Sequence, residues 1–475
     1  MDVSDADRRG APLPRHPTAA RVAQVTGAVP PAALQTPVVP VFPAGSPKQL
    51  AAANYVAFKP IAEKLAAHIA PGLVPFTPPG PGLTTKARWF SDSSEKLLVV
   101  VVGNDDKVDV TDVLAYALAW QCDRDLVLVL PRKYVGLTLE RLPWIETPVR
   151  VFTYSDDLTP RPTVVPSCTE ILALAKKRSV RSAVTHDLKG RDVLVEQLVR
   201  RLENHWALVR AHRPGYLAWH CLGRQVIKIT RRAENVTILA GVAYGEPPAG
   251  ETKALVVSVK KQLLPLDLAA IEHRVSEAVW NRYTGHDHGH DEHRMQAALA
   301  STGLSKLDIQ PGHLNREYPA WRGDGRPGFI DFLALDNKNL LHVIETKVGT
   351  ADVKGVLQTL DYATWVTAHA SEIRAERGWG PASRPGREIV MMDFILAPKA
   401  SGGAAVGPYV AGQLEALSGG IPWRIWIVAD PLADVPDLQV NERRRMPPPG
   451  PLVAKAVQGP RWATRVENGL RGDGS

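Results

Sequence analysis

The sequence predicts an α/β protein made of three successive folded parts: a small α/β unit, a strand-rich middle segment and a C-terminal unit with the element order αβββαβ. Three observations carry this. Between Lys96 and Tyr154, apolar runs of strand length alternate with one of helical length. Between Gln225 and Val242, two runs rich in β-branched residues flank a five-residue polar stretch, the pattern of an antiparallel hairpin. From Ile271 to Val428, helical and strand-like patterns succeed one another in the order given above. The 475 residues suffice for two or three cores, and 45% hydrophobic with 22% charged residues excludes wholesale disorder.

Residues 1–90 form a Pro/Ala-rich leader and linker. Pro30, Pro31, Pro37 and Pro40 disfavour helix, an Ala-containing patch at Ile61–Ile69 is helical, and Pro78-Pro79-Gly80-Pro81-Gly82 marks a linker. Residues 91–190 are a small, Rossmann-like α/β domain of unassigned role. Its runs Leu97–Val102, Leu126–Leu130 and Val149–Tyr154 are continuous, as in parallel strands buried on both faces, and Val110–Trp120 is a helix between them. Asn104-Asp105-Asp106 follows the first strand, where such units hold ligands, and is equally the composition of a polar loop. Neither GxGxxG nor GxxxxGK[ST] is present, so no nucleotide is implied.

Residues 191–267 comprise a helix over Val193–Ala211 and a basic, strand-rich segment, with strands Gln225–Thr230 and Val236–Val242 flanking Arg231–Asn235. From Leu172 to Arg232 there are fourteen Lys or Arg against four acids (Asp187, Asp192, Glu196, Glu203), a larger surplus than the +8 of the whole chain. Arg224, Lys228, Arg231 and Arg232 are therefore expected to contact nucleic-acid phosphates; the alternative is a charged sheet edge that discourages aggregation.

Residues 268–432 hold the C-terminal unit. The expected elements are helices over Ile271–Arg282 and Asp291–Leu299, strands Leu314–Trp321, Phe329–Leu335 and Leu340–Lys347, a long helix over Val353–Ala375, a strand Ile389–Leu396, a helix Tyr409–Leu417 and a strand Arg424–Val428. Residues 433–475, with Arg443-Arg444-Arg445 and Pro447-Pro448-Pro449, are expected to be a flexible basic tail.

No apolar run approaches the roughly 20 residues that cross a bilayer, and the N-terminus lacks a signal pattern, so a cytoplasmic protein with no membrane partner is expected. Cys122, Cys168 and Cys221 form no CxxC pair and are expected to be small buried apolar residues.

Chemistry concentrates in two adjacent strands. Asp331 is the single acid in Gly328–Leu335, and Glu345 and Lys347 close the next apolar run. Alternation puts Glu345 and Lys347 on one face with Thr346 turned away, and pairing through Asp336-Asn337-Lys338-Asn339 brings Asp331 beside Glu345. Two carboxylates and an ammonium suit phosphodiester hydrolysis, which requires charge neutralisation and an activated water.

These residues resemble the PD-(D/E)xK nuclease superfamily: Asp331 matches the first acid, with Ile330 in place of the proline, and Glu345-Thr346-Lys347 matches ExK. Gln358-Thr359-Leu360-Asp361-Tyr362 on the following helix resembles the QxxxY element of its RecB-like branch, and the αβββαβ order agrees. The resemblance covers about Ile271 to Val428. It implies a restriction endonuclease-like core and a nuclease in which Asp331, Glu345 and the Thr346 carbonyl hold Mg²⁺ or Mn²⁺, Lys347 orients or deprotonates water, and Gln358 and Tyr362 support the site and contact DNA. Members often add a helix acid. Glu292 is favoured over Glu277 and Glu272 because Met295 and Leu299 place it on the face toward the sheet, and Glu317 is a further candidate. The histidines of His286–His293 could suggest zinc, but no regular motif fixes them and an oxygen-rich site prefers magnesium or manganese. The implied partner is DNA ahead of RNA, in defence against foreign DNA or in repair, and a homodimer is compatible. The alternatives are a non-catalytic nucleic-acid-binding protein on a nuclease fold and a ligand-gated nuclease whose N-terminal unit is the sensor.

Overall fold

The computed structural model describes residues 47–443 except for 78–86, 105–109, 181–192, 214–215, 233–234, 242–254, 261–267, 284–290, 303, 324, 350–353, 383–389, 400–404, 418–420 and 433–437. The 1–46 leader, the residues after Arg443, and Asp105, Asp106, His286, His288 and His290 lie outside the described residues. Ala51–Ser475 form one compact unit; of the other, Met1–Leu50, only the start of the first helix is described.

The fold is mixed α/β with three sheets. The first contains β1 (Val74–Pro75), β2 (Ala87–Ser91), β3 (Leu97–Val102), β4 (Asp125–Pro131), β5 (Val149–Tyr154) and β6 (Arg161–Pro162), in that order, with helices α1 (Pro47–Ile69), α2 (Val110–Trp120), α3 (Val135–Arg141) and α4 (Cys168–Lys176). The continuous apolar runs β3, β4 and β5 are parallel, as expected, and antiparallel β2 and β6 flank them. Alternation divides β3 between two cores. Val99 and Val101 meet Ala62, Leu65 and Ala66 of α1, whereas Leu98 and Val100 face the cluster that includes α2. The Ala-rich stretch extends the helix expected at Ile61–Ile69 back to Pro47.

The second sheet is wholly antiparallel, in the order β11-β10-β9-β8-β7: β7 (Val209–Arg213), β8 (Tyr216–Cys221), β9 (Arg224–Arg232), β10 (Asn235–Ala240) and β11 (Leu255–Lys260). Helices α5 (Val193–Glu203) and α6 (Leu268–Tyr283) share its core. The helix expected over Val193–Ala211 stops at Glu203, because Val209–Arg213 pairs with β8 as a strand. The turn between β8 and β9 carries Leu222 at φ 44° and Gly223 at φ 84°, the left-handed pair that matches the twist of a two-residue hairpin.

The third sheet contains β12 (Ile309–Trp321), β13 (Pro327–Asp336), β14 (Leu341–Val348), β15 (Val390–Ala397), β16 (Trp423–Val428) and β17 (Leu438–Arg443), in that order, with α7 (Asp291–Thr302), α8 (Gly355–Arg377) and α9 (Pro408–Glu415). β12, β13 and β14 are antiparallel neighbours, β14, β15 and β16 are parallel, and β17 returns antiparallel to β16. β17 corrects the expectation of an unstructured tail from residue 433. Leu438 is buried and Val440 pairs with Trp426, enough alternation to add an edge strand between Pro-rich flanks. Met295 and Leu299 of α7 cover one face, and α8 covers the other with a core that continues through α9 and α2 into the first sheet. The first and third sheets therefore share one apolar core.

Among the described residues, no helix is long and apolar enough to cross a membrane. Cys221 is buried and Cys168 half-buried, but Cys122 is exposed at φ 49°, because it lies in the turn between α2 and β4 rather than on an apolar face.

Candidate active site

The β13–β14 turn is fixed by Asp336, whose carboxylate accepts from the Lys338 and Leu340 amides, and by left-handed Asn339. From there the register runs Leu335↔Leu341 to Phe332↔Ile344. Past Phe332↔Ile344 the paired register ends, and Asp331 meets the next part of β14 through its side chain. Here the side chain replaces the backbone ladder: the Thr346 amide donates to Asp331 Oδ2 at 2.8 Å, and the Thr346 hydroxyl donates to the same oxygen at 2.7 Å. Thr346, expected to turn away from the acids, is thus hydrogen-bonded to one of them.

Glu345 is 2% exposed. Burial and then the Asp331 charge push its carboxyl up to about 8, against the pull of Lys347. Lys347 Nζ lies 2.8 Å from Glu345 Oε1, 2.9 Å from the Thr346 carbonyl and 3.3 Å from Glu292 Oε1 of α7. Burial alone would lower the lysine, but Glu345, Asp331 and Glu292 outweigh it and hold the ammonium above its ordinary range. Lys347 is therefore a charged donor. The second oxygen of Glu345, Oε2, is buried with no hydrogen-bond partner among the described residues. A buried carboxylate oxygen left unsatisfied is costly unless a proton or cation meets it.

Gln358 and Tyr362 sit one helical turn apart on α8, and Gln358 Nε2 donates to the Tyr362 hydroxyl at 3.2 Å. Arg322 Nε reaches the same hydroxyl at 3.4 Å. The phenol lies over Gly328 of β13, where an added Cβ would fall 2.2 Å from its oxygen, so any larger residue there would displace the phenol. Burial raises the Tyr362 pKa, Arg322 draws it back, and Glu345 is close enough to push it up.

The structure therefore brings Asp331, Glu345, Thr346, Lys347 and Glu292 together, with Gln358 and Tyr362 beside them. It does not bring in the other acids. Glu272 pairs with Arg201, Glu277 pairs with His273 and Arg274, and Glu317, at φ 54° in β12, lies 3.9 Å from His220. Of the basic residues, Arg224 follows Gly223, whose Cβ would fall 2.1 Å from the His293 carbonyl, next to Glu292 in α7. Lys228 stands over the Tyr216 ring at 4.1 Å. Arg231 and Arg232 lie at the far end of β9, about 26 Å along a strand from Arg224, so the four residues form a line and not a cluster.

Sequence reasoning missed three groups. Gln296 and Arg316 reach Thr346 through hydrogen bonds between helix and sheet. Arg141 of α3 forms an ion pair with Asp361 of α8. His342, Asp393 and Arg424 form a buried cluster across β14, β15 and β16. Asp393 carried a usable signal, since it is a lone acid in Val390–Ala397 just as Asp331 is in Gly328–Leu335.

Among the described residues, no group of three His, Cys, Asp or Glu side chains is placed to hold a metal ion. The fit is instead to an ion held by two carboxylates, a backbone carbonyl and outside oxygens, as magnesium commonly is. Asp331, the unsatisfied Glu345 Oε2 and the Thr346 carbonyl, which here accepts from Lys347 at 2.9 Å, are the oxygens such an ion would take, and Glu292 is directed to Lys347. Comparisons with protein-family models, with curated proteins and with solved structures each gave no match.

Proposed function

We propose that this chain is a Mg²⁺- or Mn²⁺-dependent nuclease that hydrolyses phosphodiester bonds, in DNA ahead of RNA, on a restriction endonuclease-like core. The observation that carries the reading is the buried Glu345 carboxyl, one oxygen on Lys347 and the other unsatisfied, within reach of the Asp331 charge. An ionisable group kept in such a place has a use beyond stability, since an apolar side chain would cost less there.

The ion, held by Asp331, Glu345 and the Thr346 carbonyl, would supply Lewis-acid neutralisation of the phosphate. The protein's own residues do the rest. Lys347, kept as an ammonium by its three carboxylate neighbours, offers donors and positive charge to the attacking water and the phosphate oxygens. This narrows its role to orienting water, because a lysine so held is a poor proton acceptor. Glu292 anchors that ammonium from α7. Tyr362, fixed by Gln358, presents its phenol beside Glu345 and aligns the substrate strand, with Arg322 adding positive charge. Arg224, which follows the β8–β9 turn that packs on α7, would take a neighbouring phosphate.

The experiment is incubation of the purified full chain with linear and circular duplex DNA, single-stranded DNA and RNA, in Mg²⁺, in Mn²⁺ and in chelator. Cleavage that needs the ion is expected, with DNA the better substrate. Binding without turnover in either ion would instead identify a nucleic-acid-binding protein that keeps the site's shape.

A further inference from the structure

Four side chains form an unbroken chain of hydrogen bonds into the site. Arg316 Nη2 lies 3.1 Å from Gln296 Oε1, Gln296 Nε2 lies 2.7 Å from Thr346 Oγ1, and Thr346 Oγ1 lies 2.7 Å from Asp331 Oδ2. Arg316, Gln296 and Thr346 are 6%, 2% and 0% exposed, so water does not compete for these partners. The far end is also tied down, because Arg316 Nη2 reaches the Gly223 carbonyl at 3.2 Å in the turn between β8 and β9.

The chain can run in only one direction. A guanidinium has donors and no acceptor, so Arg316 can face only the oxygen of the Gln296 amide. That turns the amide NH₂ toward Thr346, whose oxygen must then accept. The single hydroxyl proton of Thr346 is left to point at Asp331, an acceptor when ionised. Without Arg316 the amide could turn over, offer its oxygen to Thr346 and draw the hydroxyl proton away. With the relay intact, one oxygen of Asp331 takes both the amide and the hydroxyl of Thr346, which restrains the carboxylate's rotation.

We infer that Gln296 and Arg316 are positioning residues that set the direction of the Thr346 hydroxyl and thereby hold Asp331 in its ligating orientation; this rests on the nuclease reading of the site. Partners behind a ligand commonly change metal affinity by about 10- to 100-fold when removed. The relay also joins the basic second sheet to the acid, since Arg316 touches both Gly223 and Gln296.

The test is a double-variant cycle in the full chain with Thr346→Val, Gln296→Met and the two combined, with Thr346→Ser as the control that retains the hydroxyl. It is read twice: as the affinity for Mg²⁺ alone by calorimetric titration, and as melting temperature without metal. Thr346→Val and Gln296→Met should each weaken Mg²⁺ binding by about 10- to 100-fold. The double variant should be no weaker than Thr346→Val, Thr346→Ser should behave as wild type, and Arg316→Met should follow Gln296→Met. The losses in melting temperature should likewise be non-additive. Wild-type affinity in Gln296→Met, or additive losses in both readouts, would overturn the relay. A wild-type chain that binds neither Mg²⁺ nor Mn²⁺ yet melts non-additively would overturn the nuclease reading and leave the relay standing.

Discussion

Arg141 and Asp361, separated by 220 positions in sequence, form a two-pronged ion pair of 2.8 and 2.7 Å in the core between α3 and α8. Asp361 precedes Tyr362, so the pair fixes the helix that carries the phenol to the site, and it does so from the N-terminal α/β unit. Arg178 adds a second tie. It holds Glu140 with two hydrogen bonds and the Arg322 carbonyl with another, while its own carbonyl accepts from Trp365.

Removing one partner of this pair should be far worse than removing both. Asp361→Asn leaves the Arg141 guanidinium buried without its counter-charge, a loss of about 3–5 kcal/mol, whereas a matched apolar pair such as Arg141→Met with Asp361→Leu should recover most of it. Urea unfolding of the three proteins measures this. Equal stability of Asp361→Asn and wild type would show that the pair is not buried as described.

A second prediction concerns pH. His342 lies between two acids, with Nδ1 2.6 Å from Asp393 and Nε2 3.3 Å from Asp336, and Arg424 also holds Asp393. Burial works against the imidazolium, but Asp393 and Asp336 outweigh it and raise His342 above its ordinary 6.5. Burial likewise opposes the Asp393 carboxylate, yet His342 and Arg424 hold it below 3.8. A raised histidine contributes stability that is complete below pH 6.5 and lost as pH rises through its folded value. A lowered aspartate contributes stability that is complete above pH 3.8 and lost as pH falls. The cluster therefore stabilises most between these limits. The melting-temperature gap between wild type and His342→Gln should be widest between pH 3.8 and 6.5 and shrink as pH rises through the folded value of His342. A gap that does not vary with pH would contradict this.

What the sequence disclosed follows from where its charges sit. Asp331, Glu345 and Lys347 stand out because each breaks an apolar strand, and Glu292 was legible from its spacing to Met295 and Leu299 on one helix face. Gln296 lies on the same helix but is polar without being charged, and its role depends on Arg316 from a strand that no local pattern places beside it. Arg141 lies in a short helix 220 residues from its partner, so only the folded core brings the two together. Leu438–Arg443 was hidden by the Pro- and Arg-rich sequence around it, although two apolar residues in alternation were enough for an edge strand. The order of elements along the C-terminal unit was legible for a simpler reason: each strand carries its own apolar run and the parallel neighbours are separated by helical sequence.

The linear arrangement of the basic residues gives a third prediction. Replacing Arg224, Lys228, Arg231 and Arg232 with Gln one at a time should weaken duplex DNA binding and reduce the salt slope by about one unit for each true phosphate contact. Arg224, beside the turn that packs on α7, should also lower the cleavage rate, while Arg231 and Arg232 should affect binding alone. Unchanged affinity and slope in all four would assign the charge to a solvated sheet face.

The proposed metal ligands and the lysine should separate by stability as well as by activity. An ion that binds only the folded chain raises its melting temperature, with a gain that grows as the logarithm of its concentration above the dissociation constant. Asp331→Asn should leave the metal-free protein at least as stable, by relieving repulsion with Glu345, and should shrink the gain from Mg²⁺. Lys347→Ala should keep a clear gain, since both carboxylates remain.

The most direct measurement is the rate of Mg²⁺-dependent cleavage of a DNA substrate by the wild-type chain and by Asp331→Asn and Lys347→Ala, each with a matched reaction in EDTA. The account predicts cleavage by the wild type only with the ion, and a loss of at least about 100-fold in both variants, the size expected when a group acting on the transition-state charge is removed. Cleavage that persists in EDTA, or that survives in both variants, would contradict it.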